Sequence, residues 1–426
     1  MKFPLAGNTS TLNRPVADPA APDRQLSPRR KRAWWPRRIL AGALVAVGLA
    51  GIGLILVAPS SAPRQTGADT AGTALHTSGG NIVDAAGRTV TLTGVNWFGF
   101  ETSTFAPEGL SVRNYKSMLN QMVASGFNTI RLPYSNALFQ QGNTPAGINY
   151  QLNPDLKGLS GLALYAKIVD AATSDGLMVI LDQHRPDADA QSPLPASGSL
   201  TEQDWINDWV TLARHFRNNP LVIGADLHNE PNGPATWGTG NPQTDWRLMA
   251  EKAGDAVLAA DPHWLVFVEG IQDYQGQYYW NGGNLQGAKR YPVQLSEPHQ
   301  LIYEAHDYGP SVYGQSWFQA KNFPSNMPAI WNKNWAYLKE QNIAPVLLGE
   351  FGGTVGNDVE GKWQSTLVSF LKQHGISYTY WSWNPDSADT GGILNNNWQT
   401  VNQAKMGLLH TYQVPLPQAH PVHKKH

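Results

Sequence analysis

Residues 222–231 read VIGADLHNEP, and they contain the transition that decides the fold. The first half of this stretch is largely apolar, which predicts a β-strand buried inside the protein. The apolar run stops abruptly, and His228, Asn229 and Glu230 follow it directly. Glutamate is rarely buried in proteins, so a core strand that leads straight into Glu230 indicates a functional reason for placing it there.

Seven other segments have the same form, a short apolar run that leads into polar or aromatic residues. They begin at Thr89, Asn128, Leu177, His263, Leu301, Pro345 and Ser377. Strands that are apolar on both faces and alternate with helices pair in parallel. The eight strands together predict an α/β fold, a (β/α)8 TIM barrel with enlarged loops at its C-terminal face, over residues 77–412. The alternative is a doubly wound open sheet, but no glycine-rich fingerprint follows the first strand.

Between most of these strands the apolar residues recur with helical spacing. Four of the predicted helices cover residues 113–126, 201–216, 245–260 and 361–375. Gly126 is placed to end the first of these helices. Thr201 and Asp204 have the spacing of a capping box at the start of the second.

The composition excludes several classes of protein. The chain has 426 residues and a formal net charge of −1, which gives no reason to expect a nucleic-acid partner. Cysteine is absent, so disulfides, thiolate metal sites and a cysteine nucleophile are excluded. Tryptophan is abundant, with 16 residues, and composition allows two interpretations of this excess: a large core or stacking platforms for sugar rings.

The N-terminal region has the pattern of an export segment. Residues 39–57 carry no charge and follow an arginine-rich stretch, and as a helix they would span about 28 Å, close to the thickness of a bilayer core. We therefore expect a single membrane-spanning anchor here, with a cleaved signal segment as the first alternative and a buried soluble helix as the second. The basic cluster predicts that residues 1–38 form a cytoplasmic tail and that the remainder is exported, either anchored at the inner membrane or secreted. Residues 58–76 have the composition of a flexible linker, and we expect residues 413–426 to form a C-terminal tail.

Polar and aromatic side chains follow the apolar runs of six predicted strands and do not precede them. They are Arg131, Tyr134, His184, His228, Asn229, Glu230, His306, Tyr308, Glu350, Trp381 and Trp383. In a parallel barrel the carboxyl ends of all strands point to one mouth, where barrel enzymes build their active sites. Each residue alone has a structural explanation, such as a helix cap or a core histidine, but the set as a whole predicts one cleft.

Two carboxylates at a tryptophan-rich cleft predict the hydrolysis of glycosidic bonds. A protonated carboxyl group gives a proton to the leaving oxygen, and an ionised one attacks the sugar carbon or activates water. Glu230 and Glu350, after the fourth and seventh strands, are the pair that best fits this chemistry. The competing carboxylates are interpreted as supporting or loop-ordering groups. These are Asp182, Glu269, Glu304, Asp386 and Asp389.

Several motifs together resemble the cellulases of glycoside hydrolase family 5. They are RLPY at 131–134, HRPD at 184–187, HNEP at 228–231, LLGEFG at 347–352 and YWSWNPDSADTGGIL at 380–394. The resemblance covers nearly the whole barrel and is greatest to bacterial endo-β-1,4-glucanases. It implies a retaining mechanism in which Glu230 is the general acid/base and Glu350 the nucleophile. It further implies that Asn229 hydrogen-bonds the sugar 2-hydroxyl, that Tyr308 touches the nucleophile and that Arg131 holds it ionised.

The resemblance also implies four residues that contact the sugar directly. His184 and His306 would bind sugar hydroxyls and shape the cleft. Trp381 would form the floor of the subsite at the cleaved bond, and Trp97 would add a further stacking surface.

The sequence leaves open which polymer is cleaved. Mannan and xyloglucan are alternatives to cellulose for the same chemistry, and a catalytically idle glucan-binding barrel is the alternative from a different class. We expect a β-glucan polysaccharide as the partner, a monomer, and no cofactor or metal. His420, His423 and His426 are expected to lie in an exposed tail rather than in a metal site.

Overall fold

The structure is a computed structural model that describes residues 74–188 and 190–416. The predicted cytoplasmic tail, the export segment, nearly all of the linker and the three C-terminal histidines lie outside the described residues. Within the described residues, no helix combines the length and the apolar character needed to cross a membrane.

Eight parallel strands close into a barrel, in which each strand pairs with its neighbours in sequence and the last pairs with the first. The strands are β1 (Thr93–Asn96), β2 (Thr129–Ser135), β3 (Met178–Arg185), β4 (Val222–Asp226), β5 (Leu265–Glu269), β6 (Leu301–His306), β7 (Val346–Glu350) and β8 (Ser377–Tyr380). Each of the eight overlaps one predicted segment, and β2 and β3 end one residue beyond theirs, at Ser135 and Arg185. The predicted (β/α)8 barrel is therefore confirmed, and the open-sheet alternative is wrong.

Helices surround the barrel and connect most of its strands. The α-helices are α1 (Tyr115–Ala124), α2 (Gly161–Ser174), α3 (Glu202–Phe216), α4 (Trp246–Ala260), α5 (Met327–Trp331), α6 (Tyr337–Glu340), α7 (Val359–His374) and α8 (Gln403–Leu409). A π-helical turn at Asn332–Ala336 joins α5 to α6, and short 3-10 turns lie at Asn136–Phe139, Pro154–Leu156, Ser316–Gln319 and His410–Tyr412. The connection from β5 to β6 departs from the ideal pattern, because it contains a small hairpin, Asp273–Tyr274 with Gln277–Tyr278, in place of a helix.

The helix ends follow the predicted chemistry. Thr201 Oγ1 accepts the N–H of Asp204, and the Asp204 side chain accepts the N–H of Thr201, so the capping box at the start of α3 is confirmed. Near the C-terminus of the domain, α7 ends at Gly375. The φ of Gly375 is +61°, in the left-handed region that glycine adopts readily because it has no side chain.

Most of the tryptophans belong to the core. Nine of the largest fully buried side chains are tryptophans. Trp205 and Trp209 lie on the inner face of α3, and both indole N–H groups donate to the carbonyl of Leu227 just past β4, at 3.1 and 3.2 Å. The helices are thus fixed to the ends of the strands by packing and by hydrogen bonds, and this accounts for most of the tryptophan excess.

The barrel unit continues past the predicted boundary at residue 412. The Val414 N–H donates to Thr93 Oγ1 at 3.0 Å, and the Val414 carbonyl accepts from Asn128 Nδ2 at 2.7 Å. The first part of the predicted C-terminal tail therefore packs against the N-terminal ends of β1 and β2. A short hairpin, His76–Ser78 with Asn81–Val83, precedes the barrel in the sequence.

Candidate active site

Six consecutive strands bring titratable side chains to one mouth of the barrel. Because the strands are parallel, their carboxyl ends lie on the same side, and residues distant in sequence meet there. The set comprises Arg131 on β2, His184 on β3, Glu230 shortly after β4, Glu269 on β5, His306 on β6 and Glu350 on β7.

Glu350 is the last residue of β7, and two donors hold its carboxylate. Arg131 Nη1 donates to Oε1 at 2.7 Å, and the Tyr308 hydroxyl donates to Oε2 at 2.6 Å. Burial and the adjacent Glu350 carboxylate raise the pKa of Tyr308, so its hydroxyl keeps the proton that it donates. A guanidinium and a hydroxyl donor complement a negatively charged carboxylate. Glu350 is thus fixed at the barrel mouth.

Glu230 is held in an unusual backbone conformation. Its φ is +53°, in the left-handed region that residues with a side chain rarely adopt. Its N–H donates to Glu269 Oε2 at 2.9 Å. A conformation of this kind costs about 1–3 kcal/mol and is found mainly at functional sites, where surrounding contacts maintain it. The contact with Glu269 serves that purpose here.

The surroundings of the Glu230 carboxyl favour its protonated form. Burial raises the pKa of Glu230 to about 7, and the Arg131 guanidinium opposes this shift only in part. The side chain is still 22% exposed, so a ligand in the mouth can reach it. Its Oε1 lies 3.1 Å from His306 Nδ1, and the Asn281 side chain is also hydrogen-bonded to it.

The two carboxyl groups face each other. An oxygen of Glu230 lies within 4.8 Å of an oxygen of Glu350. Retaining glycosidases place their two carboxyl groups about 5–5.5 Å apart, whereas inverting enzymes need about 6.5–9.5 Å to admit a water molecule. The separation observed here belongs to the shorter class.

Arg131 is the central cation of the site. Its closest partner is Asp226 Oδ2, which accepts from Nη2 at 2.6 Å and from Nε at 2.9 Å. The side-chain oxygens of Asn96 and Asn229 also accept from the guanidinium, at 3.0 and 2.9 Å. The fully buried guanidinium lies within 3.4 Å of five carboxyl groups in all: those of Asp182, Asp226, Glu269, Glu304 and Glu350.

The two histidines of the site are neutral. Burial lowers the pKa of His306 to about 3 and that of His184 well below its ordinary value. Each ring therefore offers one N–H donor and one acceptor nitrogen. His184 Nδ1 lies 2.8 Å from Asp182 Oδ2, a contact that orients the ring.

Trp381 presents a half-buried indole just after β8. Its N–H donates to Ser387 Oγ at 3.1 Å, which fixes the ring. The rings of Phe98 and His184 lie nearly parallel to it, with centroids 5.3 and 5.6 Å away. The result is a flat aromatic surface beside the carboxyl pair, suited to stacking on the apolar face of a sugar.

Trp97 does not contribute to this surface, and the expectation of a stacking role for it is wrong. Its side chain is fully buried, and its indole N–H donates to the carbonyl of Glu108 at 3.1 Å. The chain leaves β1 at Asn96, and the Trp97 side chain is buried in the hydrophobic core.

A cavity of about 520 Å³ opens on the Glu230 side of the carboxyl pair. Its lining includes Glu230 but not Glu350. Most of the lining comes from the long β5–β6 connection and from the loop after β6. Its aromatic residues are Tyr278, Tyr279, Trp280, Tyr308 and Tyr313.

The structure brings eight of the nine predicted site residues together, and Trp97 is the exception. Three further residues, Asn96, Asp226 and Asn281, belong to the site and were not predicted from the sequence. Asn96 and Asp226 are polar residues inside buried strands, and the need of such residues for a buried partner is a signal that could have found them. Asn281 lies in a loop without periodicity, and the sequence contains no comparable signal for it.

Two groups of side chains in the described residues could hold a cation. Glu230, His306 and Glu350 form one, and Glu269, Glu304 and His306 form the other. A cation in the first group would occupy the space between the two carboxyl groups, where a sugar carbon has to react. The second group is fully buried against the Arg131 guanidinium. The expectation of metal-independent chemistry stays a prediction.

Comparison with known proteins places these features in a family. Residues 83–387 match the model of the cellulase family, glycosyl hydrolase family 5. An endoglucanase of Paenibacillus polymyxa is 48% identical over 348 residues, which cover 80% of this chain and 87% of that protein. The major extracellular endoglucanase of Xanthomonas campestris is 46% identical over 338 residues, which cover 78% of this chain and 69% of that protein.

Solved structures agree with the sequence relatives. The catalytic domain of the Xanthomonas campestris enzyme superposes with a TM-score of 0.76 at 44% identity, covering 79% of this chain and 99% of that one. The hyperthermophilic endocellulase of Pyrococcus horikoshii superposes with a TM-score of 0.75 at 41% identity, covering 79% and 98% of the two chains. Complexes of that endocellulase with cellotetraose have been solved. The family match, the sequence identities and the barrel with its paired glutamates show that the chain belongs to glycoside hydrolase family 5.

Proposed function

We propose that this chain is an endo-β-1,4-glucanase that cleaves cellulose and related β-glucans with retention of anomeric configuration. The observation that carries the proposal is the pair of carboxyl groups, Glu230 and Glu350, within 4.8 Å of each other in contrasting surroundings. Glu350 accepts from a guanidinium and a hydroxyl, while burial favours the protonated form of Glu230. A double displacement needs this pairing of one ionised and one protonated carboxyl group.

In the first step the Glu350 carboxylate attacks the anomeric carbon and forms a covalent glycosyl-enzyme. At the same time Glu230 gives its proton to the glycosidic oxygen, and the leaving chain departs. The Glu350 carboxylate becomes a neutral ester, and the negative charge ends on Glu230, which has given up its proton. The contacts from Arg131 and Tyr308 orient the attacking oxygen.

In the second step water attacks the anomeric carbon of the glycosyl-enzyme. Glu230, now ionised, accepts a proton from this water, and Glu350 leaves as a carboxylate. The single group Glu230 thus acts first as acid and then as base, which requires a pKa near the working pH. The two inversions give net retention.

Asn229 and Trp381 position the sugar in this proposal. Arg131 occupies the side-chain oxygen of Asn229, so the amide NH2 group is oriented to donate to a substrate 2-hydroxyl. Hydrogen bonds to this hydroxyl strengthen in the transition state and supply several kcal/mol in glycosidases. Trp381 supplies the flat face against which the ring of the sugar stacks.

Cellulose is the favoured polymer because the relatives are named endoglucanases and the Pyrococcus horikoshii neighbour binds cellotetraose. Mannan and xyloglucan remain alternatives for the same chemistry.

The test of the substrate assignment is hydrolysis of soluble β-1,4-glucan, mannan and xyloglucan in parallel. We expect the highest kcat/KM on β-1,4-glucan, with a fall in viscosity that precedes the release of reducing ends. Preference for mannan or xyloglucan would overturn the substrate assignment, and binding without hydrolysis of all three would favour a glucan-binding barrel.

The proposed acid predicts how activity depends on pH. Glu230 must carry a proton to start the reaction, and its pKa is raised to about 7. It is protonated below this pH and ionised above it, so kcat/KM is expected to fall about tenfold per pH unit on the alkaline side of about pH 7. Rates on cellotetraose across the pH range check this. If kcat/KM stayed constant for about two pH units above pH 7, the role of Glu230 as the acid would be contradicted.

We also propose that the chain is exported and anchored in the inner membrane by residues 39–57, with the barrel outside the cytoplasm. The support is the uncharged run after an arginine-rich stretch. Fractionation of cells that produce the full chain tests this: an anchored protein stays with the membranes, and a secreted one appears shortened in the medium.

We expect the barrel to be monomeric. Light scattering on the purified protein measures its molecular mass in solution.

A further inference from the structure

A layer of buried carboxyl groups lies beneath the active site. We call Asp182, Asp226, Glu269 and Glu304 the carboxyl cluster; all four are fully buried, and all four contact Arg131. Glu350 is the fifth carboxyl group on the same guanidinium. The mechanism above uses Glu350 but none of the cluster.

The cluster contains more potential negative charge than its surroundings can balance. Five ionised carboxylates around Arg131 would exceed its single positive charge by four, and Arg185 is one further cation whose charge acts on Asp182. Of the other groups that face the cluster, His184 and His306 are neutral. Burial and neighbouring carboxylates raise the pKa of Glu269 and Glu304 well above the ordinary value, while burial raises that of Asp182 and Asp226 to about 7.

Direct contacts between carboxyl groups require protons as well. The Asp226 carboxyl group lies within hydrogen-bonding reach of both the Asp182 and the Glu304 carboxyl groups. An ionised carboxylate only accepts, so each of these contacts needs a proton on one partner. Both oxygens of the fully buried Glu304 side chain lack a hydrogen-bond donor. A protonated Glu304 resolves this, since it becomes a donor itself.

The fold reserves space for two of these carboxyl groups. A Cβ atom built on Gly349 would overlap the Glu304 carboxyl, and one built on Gly282 would overlap the Glu269 carboxyl. Any side chain at either glycine would displace the acid. The placement of Glu269 and Glu304 is therefore built into the backbone at β7 and in the β5–β6 connection.

His306 connects the cluster to Glu230. Its Nδ1 lies 3.1 Å from Glu230 Oε1 and 3.5 Å from Glu350 Oε2, and its Nε2 lies 3.3 Å from Glu269 Oε1 and 3.6 Å from Glu304 Oε1. The neutral ring carries one proton on one of its two nitrogens. With the proton on Nδ1, Nε2 is an acceptor that has no hydrogen-bond partner unless Glu269 or Glu304 carries a proton.

We propose that Glu269 and Glu304 hold protons beneath the active site and that Glu269 exchanges a proton with Glu230 through the ring of His306. Glu269 gives its proton to Nε2 while Nδ1 gives its own to Glu230, so the ring changes tautomer and stays neutral. One O–H and one N–H bond break, and one of each forms. The negative charge moves from Glu230 to Glu269.

This inference rests on the proposed role of Glu230 as the acid. Glu269 acts through His306 and is thus a positioning residue that couples the protonation of Glu230 to the cluster. Glu304 remains protonated throughout and separates the charge of Glu269 from that of Asp226.

Glu269→Gln tests the exchange. The glutamine oxygen can still accept the Glu230 N–H, but its NH2 group donates permanently to Nε2 and holds the His306 proton on Nδ1. This tautomer favours ionised Glu230, so we expect the alkaline limb of kcat/KM to move down by about one pH unit. Glu304→Gln imitates a protonated glutamate, so we expect a melting temperature and a pH limb close to the parental ones. Glu360→Gln is the control, because Glu360 is buried but accepts from Ser311 outside the cluster.

The proposed exchange would be overturned if folded Glu269→Gln lost kcat/KM at the same alkaline pH as the parent protein. An equal shift of this pH in Glu360→Gln would also overturn it. Infrared spectroscopy of the parent protein supplies a measurement that needs neither catalysis nor a folded variant. At a pH about one unit above the pKa of Glu230, we expect the parent spectrum to show the C=O stretch of protonated carboxyl groups. This band should be weaker in Glu304→Gln. Absence of that band in the parent would overturn the proposal. A parent that shows the band but hydrolyses no glucan would count against the proposed function alone.

Discussion

Glu350→Gln is expected to lower kcat on soluble β-1,4-glucan by a factor on the order of 10⁵ to 10⁶, the loss seen when a nucleophile is removed from a hydrolase. Glutamine has the shape of glutamate, its single oxygen can still accept from Arg131, and its NH2 group can donate to the Tyr308 hydroxyl oxygen, so the fold and the binding of glucan should persist. What disappears is the oxygen that attacks the anomeric carbon. Initial rates, with KM or a binding constant for cellotetraose, separate the loss of chemistry from a loss of affinity.

Glu230→Gln is the matched comparison, because it removes the other half of the pair. General acid catalysis contributes about 10²- to 10⁴-fold, so the loss on glucan should be smaller than for Glu350→Gln. On an aryl cellobioside whose leaving group needs no proton, Glu230→Gln should keep most of the rate of the first step, while Glu350→Gln stays inactive. An active Glu350→Gln variant, or the opposite dependence on the leaving group, would contradict the assigned roles.

Arg131→Met is expected to destabilise the folded protein by about 3–5 kcal/mol at neutral pH, the typical result of removing one partner from a buried ionic network. The guanidinium is fully buried and contacts five carboxyl groups, and methionine fills the space without supplying charge or donors. Chemical denaturation of the barrel domain, followed by tryptophan fluorescence, measures the change.

The sign of the pH dependence follows from the same contacts. Without Arg131 the buried carboxyl groups bind protons even more tightly in the folded state than in the unfolded chain. Folding stability then falls as the pH rises above the ordinary carboxyl value of about 4, so the loss caused by Arg131→Met should be larger at neutral pH than at about pH 5. Arg88→Met is the control, because the Arg88–Asp84 ion pair lies at the surface, where 75% of the Arg88 side chain is exposed. Its effect should be much smaller, and equal effects would contradict the importance of burial.

The fold was predictable because the sequence repeats one signal eight times. Each strand is a short apolar run buried on both faces, and each run leads into the residues of the mouth, so Glu230 and Glu350 could be paired across more than a hundred positions. The capping box at Thr201 and Asp204 was equally local, because it depends on spacing alone.

The direction of side chains beyond the strand ends could not be predicted. Trp97 follows β1 directly, and the loop, not the strand period, turns it into the core. The β5–β6 connection contributes Trp280 and Asn281 to the site. It contains no regular helix, so its apolar residues have no periodic spacing from which their direction could be predicted. Asp226 is different, because a carboxylate inside an apolar strand already signalled a buried cation, which the structure identifies as Arg131.

The order in which the product anomers appear is the decisive test of the roles of Glu230 and Glu350. Hydrolysis of cellotetraose can be followed by NMR within the time before mutarotation mixes the anomers. A nucleophilic Glu350 close to an acidic Glu230 predicts that the β-anomer appears first. Initial release of the α-anomer would mean that water attacks the sugar directly, and it would contradict the roles assigned to both glutamates.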